Sequence, residues 1–458
     1  MSSLPDAVVR ARPFTHRDGG TDEPTWLMSA EWDDVPRLDT AALLRRYASV
    51  VLVAPHPDDE SLALGATLAD LADAGVAVTV VVATHGGGSP GGTVRRREGD
   101  RAVRTLSTRI EVIWWDLPDG GLADAQDALR AGLAELVDES TLLFAPVECD
   151  GHSDHEAVAR AAEAVALDRS AALLLYPVWL WHWATPADLD WSRLRTLAPS
   201  LRALQAKRDA IDCHRSQLVS ADGHPIVGSG VLARARRVAE TVIVPLPPGL
   251  AGRVADDVAE SSRGRSEVAR PFEEMYDTGD DDPWQFDGSV YERRRLELVA
   301  ACLGRERYGR VLEIGCATGQ LATRLCDRAA EVVALDASAA ALRVAKERSD
   351  AVRWVLGAAP RDIPDGDYDL IVMSEIGYFL DGVDLLTTLR ALRRRLRPDG
   401  ELVVANWRGP TENIPLDGET VQQQAAAMLD LPLRAHYEDV DLVIDVWGQP
   451  VSVYGAHR

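Results

Sequence analysis

The sequence predicts an α/β protein with two tandem domains, each a parallel sheet covered by helices. The chain has 458 residues, of which 46% are hydrophobic, enough for two or three folded units at about 150 residues each. Apolar, β-branched runs alternate with helical segments in both halves, as in parallel strands joined by crossover helices. A turn-prone and then polar segment interrupts this alternation at about 245–270 and predicts a linker.

The first half begins with a Pro-, Asp- and Trp-rich arm over residues 1–40, which we expect to pack on a domain. Regular alternation starts at Ser49, where apolar runs of strand length are separated by segments of helical length. Predicted strands are SVVLVA, VAVTVVVAT, EVIWW, TLLFAP and ALLLYP. Predicted helices cover 61–74, 95–106, 124–138, a stretch from Asp154, and a long helix around 199–217.

The second half repeats the architecture without repeating the motifs. YERRRLELVAACL predicts a helix, RVLEIGCATGQLATRL a strand, glycine turn and helix, and EVVALDAS, DLIVMSE and ELVVANW three further strands. We therefore expect two Rossmann-like three-layer α/β/α domains, over residues 1–245 and 271–458, with a linker over 246–270.

Composition excludes several classes of partner and compartment. The net charge is −23, so binding to nucleic acid or to an anionic membrane surface is not expected. No apolar stretch approaches the ~20 residues needed to span a bilayer, and the first twenty residues lack a signal-peptide core. Five scattered cysteines without a C-x-x-C pair favour a reducing compartment. We expect a soluble, cytoplasmic protein.

Histidine is concentrated in the first half, where eight of the ten histidines lie between His16 and His224. One predicted strand runs into His56-Pro57-Asp58-Asp59-Glu60, and another into Gly151-His152-Ser153-Asp154-His155. The carboxyl ends of parallel strands meet at one sheet edge. The two clusters together supply the imidazoles and carboxylates of a catalytic zinc site. Zinc lowers the pKa of a coordinated water to about 7.

Each motif alone also has a simpler interpretation, since HPDDE is a plausible polar turn and Asp154 a plausible helix cap. Their joint occurrence after two buried strands favours the metal site. Because Asp58 and Asp59 are adjacent, their side chains point in different directions. One can then bind the metal while the other faces the water.

The motifs VAPHPDDE, GHSDHEAV and KRDAIDCHRSQL resemble those of the PIG-L/LmbE family of zinc-dependent de-N-acetylases, over roughly residues 45–245. The resemblance implies that His56, Asp59 and His155 bind Zn²⁺ or another divalent metal. It also implies that Asp58 is the general base, that His152 polarises the acyl carbonyl or stabilises the oxyanion, and that Asp154 orients an imidazole.

Three other features of the first half have two readings each. Lys207 and the Ser216-Gln217 pair belong either to the pocket, as a similar Ser-Gln element does in that family, or to a solvated amphipathic helix. The four tryptophans of VWLWHWATPADLDW could form a stacking wall for a sugar ring, but core packing or a lid is favoured. The loop HGGGSPGG lacks the Gly-Lys-Ser/Thr of a phosphate-binding loop and is read as a pocket rim.

In the second half, a glycine turn joins a strand to a helix at Glu313-Ile314-Gly315-Cys316-Ala317-Thr318-Gly319. Such a turn lets the backbone approach a ligand at the helix N-terminus. It is not the G-x-G-x-x-G dinucleotide fingerprint. The next strand ends in Asp336, at about the spacing of a carboxylate that binds ribose hydroxyls.

These residues, with DYDLIVMSE and LRPDGELVV, resemble the class I S-adenosylmethionine (SAM)-dependent methyltransferases. PWQFDGSVYERRR and ANWRGPTENIPLDGETV narrow the resemblance to NodS-like N-methyltransferases, which methylate the nitrogen of a deacetylated glucosamine. It implies cofactor contacts from Glu313, Gly315, Cys316, Gly319 and Asp336, and an acceptor side that contains Ser374, Glu375 and Tyr378. Two positions depart from the usual pattern: Ala317 replaces a loop glycine, and Ala358 replaces an acid near the adenine.

The favoured function is therefore a bifunctional enzyme that acts on a small N-acylated amino sugar or similar metabolite. Zinc-dependent hydrolysis of the N-acyl group would free an amine, and SAM-dependent methylation would follow, on that amine. Two alternatives remain open. Two enzymes of one pathway could be fused and act on different substrates, with methylation of oxygen or carbon, or one domain could be a binding scaffold only.

Overall fold

The computed structural model describes residues 14–87, 91–219, 223–246, 258–259, 265–276, 282–286, 288–410 and 414–450. The chain divides into two compact units, Met1–Ser261 and Ser262–Arg458. This division falls inside the segment 246–270, of which residues 247–257 and 260–264 lie outside the described part. Among the helices of the described part, none is long and apolar enough to cross a bilayer.

The first unit contains a nine-stranded sheet within the described residues. Its strands are β1 (Arg37–Leu38), β2 (Ser49–Ala54), β3 (Ala77–Thr84), β4 (Glu111–Leu117), β5 (Thr141–Pro146), β6 (Ala172–Tyr176), β7 (Leu194–Leu197), β8 (Glu240–Ile243) and β9 (Val258–Ala259). Its helices are α1 (Glu23–Leu27), α2 (Thr40–Arg46), α3 (Asp59–Asp73), α4 (Gly91–Leu106), α5 (Gln126–Leu136), α6 (Ser153–Arg169), α7 (Leu180–Trp183), α8 (Leu201–Ile211), α9 (Arg215–Leu218) and α10 (Ser229–Ala235).

The strand order is β4-β3-β2-β5-β6-β8-β7-β1-β9. Strands β4 to β6 in this order are parallel, whereas β8 and β9 pair antiparallel with their neighbours. The chain moves outward from β2 in one direction through β3 and β4, and in the other through β5 and β6. Right-handed crossovers then place the helices on opposite faces. The strand order therefore reverses between the neighbouring strands β2 and β5. In such sheets, ligands bind at the carboxyl ends of the strands at this switch point.

The second unit contains a seven-stranded sheet of order β12-β11-β10-β13-β14-β16-β15 within the described residues. Its strands are β10 (Tyr308–Ile314), β11 (Ala329–Asp336), β12 (Val352–Leu356), β13 (Tyr368–Ser374), β14 (Leu396–Trp407), β15 (Leu433–Glu438) and β16 (Leu442–Gly448). Its helices are α11 (Arg265–Tyr276), α12 (Val290–Cys302), α13 (Gln320–Leu325), α14 (Ala339–Arg348), α15 (Gly382–Arg395) and α16 (Gly418–Met428). All pairings from β12 to β14 are parallel, and β16 is antiparallel to both of its neighbours.

The predicted fold class is confirmed: both units are α/β sheets with helices supplied by the crossovers. The long helix predicted over 199–217 is wrong, because α8 ends at Ile211 and a separate turn, α9, begins at Arg215. The backbone turns at His214, whose buried ring lies 3.3 Å from the hydroxyl of Ser61. Within the tryptophan-rich segment, Leu180–Trp183 form the short helix α7.

Candidate functional site

Three histidines from the two polar motifs meet at the switch point of the first sheet. His56 follows β2, while His152 and His155 follow β5, the neighbouring strand. The ring centroids lie 4.8 Å apart for His56–His152, 5.4 Å for His56–His155 and 5.1 Å for His152–His155. One nitrogen from each ring lies within 4.8 Å of the others. Residues almost a hundred positions apart therefore share one small volume.

The carboxylate of Asp59 lies between two of these imidazoles. Its Oδ2 atom is 3.5 Å from Nδ1 of His56 and 3.4 Å from Nε2 of His155. Ligands about 2.0–2.1 Å from a tetrahedral zinc are about 3.3 Å from one another, so these separations match the edges of a zinc polyhedron. Burial opposes ionisation of Asp59, but the imidazoles of His155 and His56 hold its pKa well below the usual range. The side chain is thus a carboxylate, as a metal ligand must be.

The ring of His155 is fully buried and is aligned from behind by Asp150. Its Nδ1 atom lies 2.7 Å from Oδ2 of Asp150, and Asp150 is fixed by backbone N–H groups of α7 and the residues before it. Among the described residues, Nε2 of His155 has no hydrogen-bond partner. This arrangement fits a histidine that binds a metal through Nε2, beside Asp59, while the carboxylate of Asp150 holds its Nδ1 from outside the metal site.

On its other edge, His56 contacts two more carboxylates. Its Nε2 atom is 3.2 Å from Oδ2 of Asp154 and 3.2 Å from Oδ1 of Asp119. Asp154 also accepts the backbone N–H groups of Gly120 and Leu122, at 2.8 and 3.1 Å. The structure therefore places Asp154 against an imidazole, that of His56. His56, Asp119 and Asp154 form a second group whose donor atoms lie within 4.8 Å.

Asp58 is buried beside the metal-ligand candidates in a strained backbone conformation, with φ of +136°. Strain of this kind in a residue other than glycine persists where the surroundings enforce it, often at functional sites. Its Oδ1 atom pairs with Nη2 of Arg95 at 3.2 Å. Burial raises the pKa of Asp58 to about 6, with a further rise from the negative charge of Asp59 and an opposing effect from Arg95.

His152 caps the N-terminus of α6, where its Nδ1 accepts the N–H of Asp154 at 3.2 Å. Burial, together with the neighbouring rings of His155 and His56, lowers the pKa of His152 to about 4. The imidazole is therefore neutral at neutral pH. With Nδ1 acting as an acceptor, the proton of the neutral ring resides on Nε2, which is then a hydrogen-bond donor.

The second unit has an open cleft of about 1070 Å³, including its solvent-facing mouth, at the carboxyl ends of β10, β11 and β13. Four of the five residues expected to contact the cofactor line it, namely Glu313, Gly315, Cys316 and Asp336, as do Ser374, Glu375 and Tyr378 of the expected acceptor side. Gly319 does not. It has φ of +83° at the start of α13, and a Cβ there would lie 2.4 Å from the Trp354 ring. The absence of a Cβ at this position lets the turn pack closely against Trp354.

The side-chain carboxylate of Asp336 accepts hydrogen bonds from two backbone N–H groups, one of which belongs to the glycine turn. Ala317, in a left-handed conformation with φ of +46°, donates its N–H to Oδ2 of Asp336 at 2.8 Å, and Ser338 donates to Oδ1 at 2.9 Å. A Cβ at Gly315 would lie 2.8 Å from the side chain of Ile376. Ala358, at the departure from the usual pattern, lines the cleft, and its N–H is donated to Asp362 at 2.9 Å.

Glu313 is a buried carboxyl group that faces the cleft without a partner for Oε2 among the described residues. Burial raises its pKa to about 8, and Asp336 adds to the rise while Arg295 opposes it. An unsatisfied carboxyl oxygen in a cleft suits a cationic ligand group. The ammonium of the methionine part of SAM is such a group, so the residues fit the expected cofactor.

Beyond Glu313, the floor of the cleft is formed by Glu375 held between two phenols. Tyr291 donates its hydroxyl to Oε1 at 2.9 Å, and the hydroxyl of Tyr378 binds Oε2. Glu375 has φ of +60°, a second strained position at a candidate site. Arg295 donates to the hydroxyl of the neighbouring Ser374 at 2.6 Å.

Family comparisons match both units. The model of the family described as PIG-L: GlcNAc-PI de-N-acetylase matches residues 51–166. The model of Nodulation protein S (NodS) matches residues 273–412. The chain joins a PIG-L domain to a NodS-like methyltransferase domain. The first match contains VAPHPDDE and GHSDHEAV, and KRDAIDCHRSQL lies outside it. The second match contains the glycine turn and Asp336, and ANWRGPTENIPLDGETV extends beyond its end.

Single proteins that match the chain do so at low sequence identity. Nodulation protein S of Rhizobium tropici is 29% identical over 133 residues, or 28% of this chain and 56% of that protein. The chain thus spans little more than half the length of this relative. The N-methyltransferase NodS from Bradyrhizobium japonicum, solved with S-adenosyl-L-homocysteine, is 23% identical, with 40% and 98% of the two chains covered and a TM-score of 0.35. N,N'-diacetylchitobiose deacetylase from Pyrococcus horikoshii is 22% identical, with 40% and 75% covered and a TM-score of 0.32.

Sequence reasoning missed four residues of these two sites: Asp119, Asp150, Arg95 and Tyr291. In the PIG-L domain, Asp150 stands in the same polar run as His152, and Asp119 follows β4 at the same sheet edge. Those positions were a usable signal for both. Arg95 belongs to an Arg-Arg-Arg run on α4, which is typical of a solvated face. Tyr291 of the NodS-like domain contacts Glu375 from a helix distant in sequence.

The tryptophan-rich segment of the PIG-L domain belongs to its interior. Trp181 packs edge-on against Trp26 of the N-terminal arm, with centroids 4.9 Å apart, and Trp26 donates its ring N–H to the Trp181 carbonyl at 2.9 Å. This arrangement supports the core interpretation of the tryptophans. The loop HGGGSPGG is shorter than expected, because its last two glycines begin α4; residues 88–90 lie outside the described part.

Lys207 is neither solvated nor at the metal centre. Its ammonium lies 2.6 Å from Glu240 and 2.9 Å from the carbonyl of Ala63, with both charged side chains buried. Glu240 also accepts the N–H groups of Ala66 and Thr67. The backbone of α3 leaves helical geometry at Leu64. The ion pair therefore satisfies the polar groups that the kink exposes.

Proposed function

We propose that the chain is a bifunctional enzyme, in which the PIG-L domain hydrolyses an N-acyl group and the NodS-like domain methylates the product. The substrate is a small N-acylated amino sugar or similar metabolite, and the methyl acceptor is the freed amine. One observation carries the proposal: a single chain contains both a carboxylate–imidazole cluster suited to a divalent metal and a cleft suited to SAM. Amide hydrolysis produces the free amine that N-methylation requires.

In the PIG-L domain, Asp59, His155 and His56 would hold the metal, which supplies Lewis acidity and lowers the pKa of a water ligand. Asp58, buried beside them, takes the proton of the attacking water. The neutral His152 donates a hydrogen bond to the acyl oxygen as negative charge develops there. Asp150 holds the ring of His155 in position throughout.

Proton flow through Asp58 completes the hydrolysis. The water oxygen bonds to the acyl carbon, and the C–N bond breaks with its electron pair going to nitrogen. The proton taken up by Asp58 is returned to that nitrogen, so that the amine and the free acid leave. Arg95, 3.2 Å from Asp58, favours the ionised form that the first step needs.

In the NodS-like domain, Asp336 is positioned for the ribose hydroxyls and Glu313 for the cofactor ammonium. SAM supplies, when bound, an electrophilic methyl group. Glu375 faces the same cleft and is fixed by two tyrosine hydroxyls, so it can hold the acceptor nitrogen and remove its proton. An acidic residue placed in this way favours an amine over a hydroxyl acceptor, because the amine is the cationic group before methylation.

The test follows one substrate through both steps. Purified chain with Zn²⁺ and methyl-labelled SAM is incubated with N-acetylglucosamine and related N-acetylated amino sugars, and with their free amines. We expect label in the product from both, with Asp58→Asn abolishing labelling from the acetylated compounds and sparing labelling of the free amines. Glu375→Gln should abolish labelling from both kinds of substrate while leaving deacetylation unchanged. Labelling of the intact amide, or labelling from the acetylated compounds that does not depend on Asp58, would refute the coupled reaction.

A further inference from the structure

A second pocket of the PIG-L domain lies away from the histidine cluster, between α3, α7, α10 and the start of β8. Its volume is about 410 Å³, including the space at its mouth, and its walls include Leu62, Val178 and Trp181. Three cationic side chains, those of Lys207, Arg234 and Arg237, also line it. No step of the proposed hydrolysis uses this pocket.

The three cations of the pocket are unequally paired with carboxylates. Lys207 is matched by Glu240 at 2.6 Å. Arg237 is matched by Glu23 through two hydrogen bonds of 2.6 and 2.8 Å. Arg234 has Oε2 of Glu23 at 3.9 Å from its Nε, and the carboxylate of Asp22 also attracts it. Among the described residues, this guanidinium therefore has no carboxylate at hydrogen-bond distance.

Arg234 is nevertheless 93% buried, with a relative exposure of 7%. Its Nη2 donates to the carbonyl of Thr21, whereas Nε and Nη1 have no hydrogen-bond partner among the described residues. Three N–H groups are thus unsatisfied. Burial, and repulsion from Arg237, lower the pKa of Arg234 to about 10, which still leaves it charged at neutral pH.

A buried charge without a partner is costly, and proteins pair such groups or use them to bind ions. The guanidinium presents N–H groups in a plane that suits carboxylate and phosphate oxygens. Three cationic side chains line the pocket beside one lining carboxylate, that of Glu240, in a chain whose net charge is −23. The ligand that best balances this pocket is a small anion with oxygen donors.

We propose that this pocket is an oxyanion-binding site in which Arg234 is the main ligand. It binds a carboxylate or phosphate group, either as a free ion or as part of a larger metabolite. Val178, in the pocket wall, donates its N–H to Asp150, the residue behind His155. An anion seated here therefore lies close to the support of the metal centre without contacting the metal.

The binding test uses the full chain with its metal and titrates inorganic phosphate and acetate calorimetrically against chloride at equal ionic strength. We expect phosphate or acetate to bind and to raise the thermal midpoint of the PIG-L domain by about 2 °C or more. Arg234→Gln should weaken this binding at least tenfold, and Arg234→Lys should retain part of it. The matched control is Arg236→Gln, because Arg236 is exposed and paired with Asp212.

Phosphate bound at the metal or in the cofactor cleft would be unaffected by Arg234→Gln, so the comparison isolates this pocket. Equal anion binding in the wild-type chain, Arg234→Gln and Arg236→Gln would overturn the proposal, as would the absence of any anion binding. Circular dichroism of Arg234→Gln and the partial response of Arg234→Lys separate a binding defect from misfolding.

A kinetic comparison distinguishes the two sources of the anion. N-acetylglucosamine and its 6-phosphate are compared as deacetylation substrates in the wild-type chain and Arg234→Gln. If the substrate carries the anion, Arg234→Gln should raise KM at least tenfold for the phosphorylated sugar only. If the anion is a free ion, Arg234→Gln should change KM equally for both sugars and should also abolish phosphate binding. If neither sugar is hydrolysed, the proposed function fails, and the calorimetric result still decides the anion site.

Discussion

Oδ2 of Asp150 lies 2.7 Å from Nδ1 of His155, and both side chains are fully buried. This contact leaves Nε2 as the only nitrogen of the ring that can face a metal. Asp150→Asn keeps the size of the side chain but removes the charge, so metal affinity should fall by about 10- to 100-fold. Competition with a chromogenic chelator measures it.

The matched control for that change is Glu148→Gln, two residues away, whose carboxylate pairs with Arg193. We expect Glu148→Gln to leave metal affinity unchanged. Equal affinity in Asp150→Asn and the wild-type chain would show that Asp150 does not support the site.

Metal removal should separate the two activities. A chelator is expected to abolish deacylation and to lower the thermal midpoint of the PIG-L domain, because metal binding stabilises only the folded state. SAM binding and methylation of a free amine should continue, since no residue of the cleft belongs to the metal cluster. Calorimetry with SAM before and after dialysis against chelator measures this; loss of SAM binding would contradict it.

Gly319 supports the cofactor turn through its conformation. Gly319→Ala introduces a Cβ at φ of +83° and 2.4 Å from Trp354, so the NodS-like domain should lose more than ~1 kcal/mol of unfolding free energy. SAM affinity should fall as the turn shifts. Gly288→Ala is the control, because a Cβ there meets only one carbonyl oxygen, at 3.9 Å. Equal thermal midpoints for the two variants would refute this role.

Glu313 gives the NodS-like domain a pH-dependent stability. Burial places its folded-state pKa at about 8, above about 4.3 for an exposed glutamate. Between these values the folded state binds more protons than the unfolded state. The unfolding free energy therefore falls as pH rises, by at most about 1.4 kcal/mol per pH unit. Glu313→Gln removes this dependence.

The thermal transition of this domain is first identified as the one that shifts when SAM is added. Its midpoint is then measured without cofactor at pH 5, 6.5 and 8. The wild-type chain should lose stability relative to Glu313→Gln as pH rises. Glu347→Gln changes an exposed glutamate of α14 and should behave as the wild type does. Parallel pH profiles for wild type and Glu313→Gln would contradict the assignment.

The buried Lys207–Glu240 pair stabilises the kink of α3. Lys207→Met leaves Glu240 buried without its counter-ion, at a cost of about 3 kcal/mol in unfolding free energy, and adding Glu240→Gln should restore part of it. Lys346, the other lysine of the chain, is exposed, so Lys346→Met should have no effect. Urea denaturation measures all three, and a neutral Lys207→Met would show that the pair contributes nothing.

The sequence by itself was sufficient for the two α/β domains and for most of the candidate site. Strand-ending motifs such as His56-Pro57-Asp58-Asp59 can be read locally, because a parallel sheet always brings the carboxyl ends of its strands to one edge. The same rule brought Asp336 to the cofactor cleft. The ends of helices near buried polar groups were harder to predict from the sequence. The break at His214, between α8 and α9, is an example.

Only the tertiary structure decided which partners these residues meet. Arg95 carries no distinctive sequence signal, since its importance comes from the Asp58 carboxylate that the packing of α4 places beside it. Arg234 is the strongest case: in sequence it is one of three arginines at or just after the end of a short helix, yet folding buries it and pairs Glu23 with Arg237 instead. Sequence spacing determines which residues share an edge, whereas burial and the matching of charges depend on contacts between distant segments.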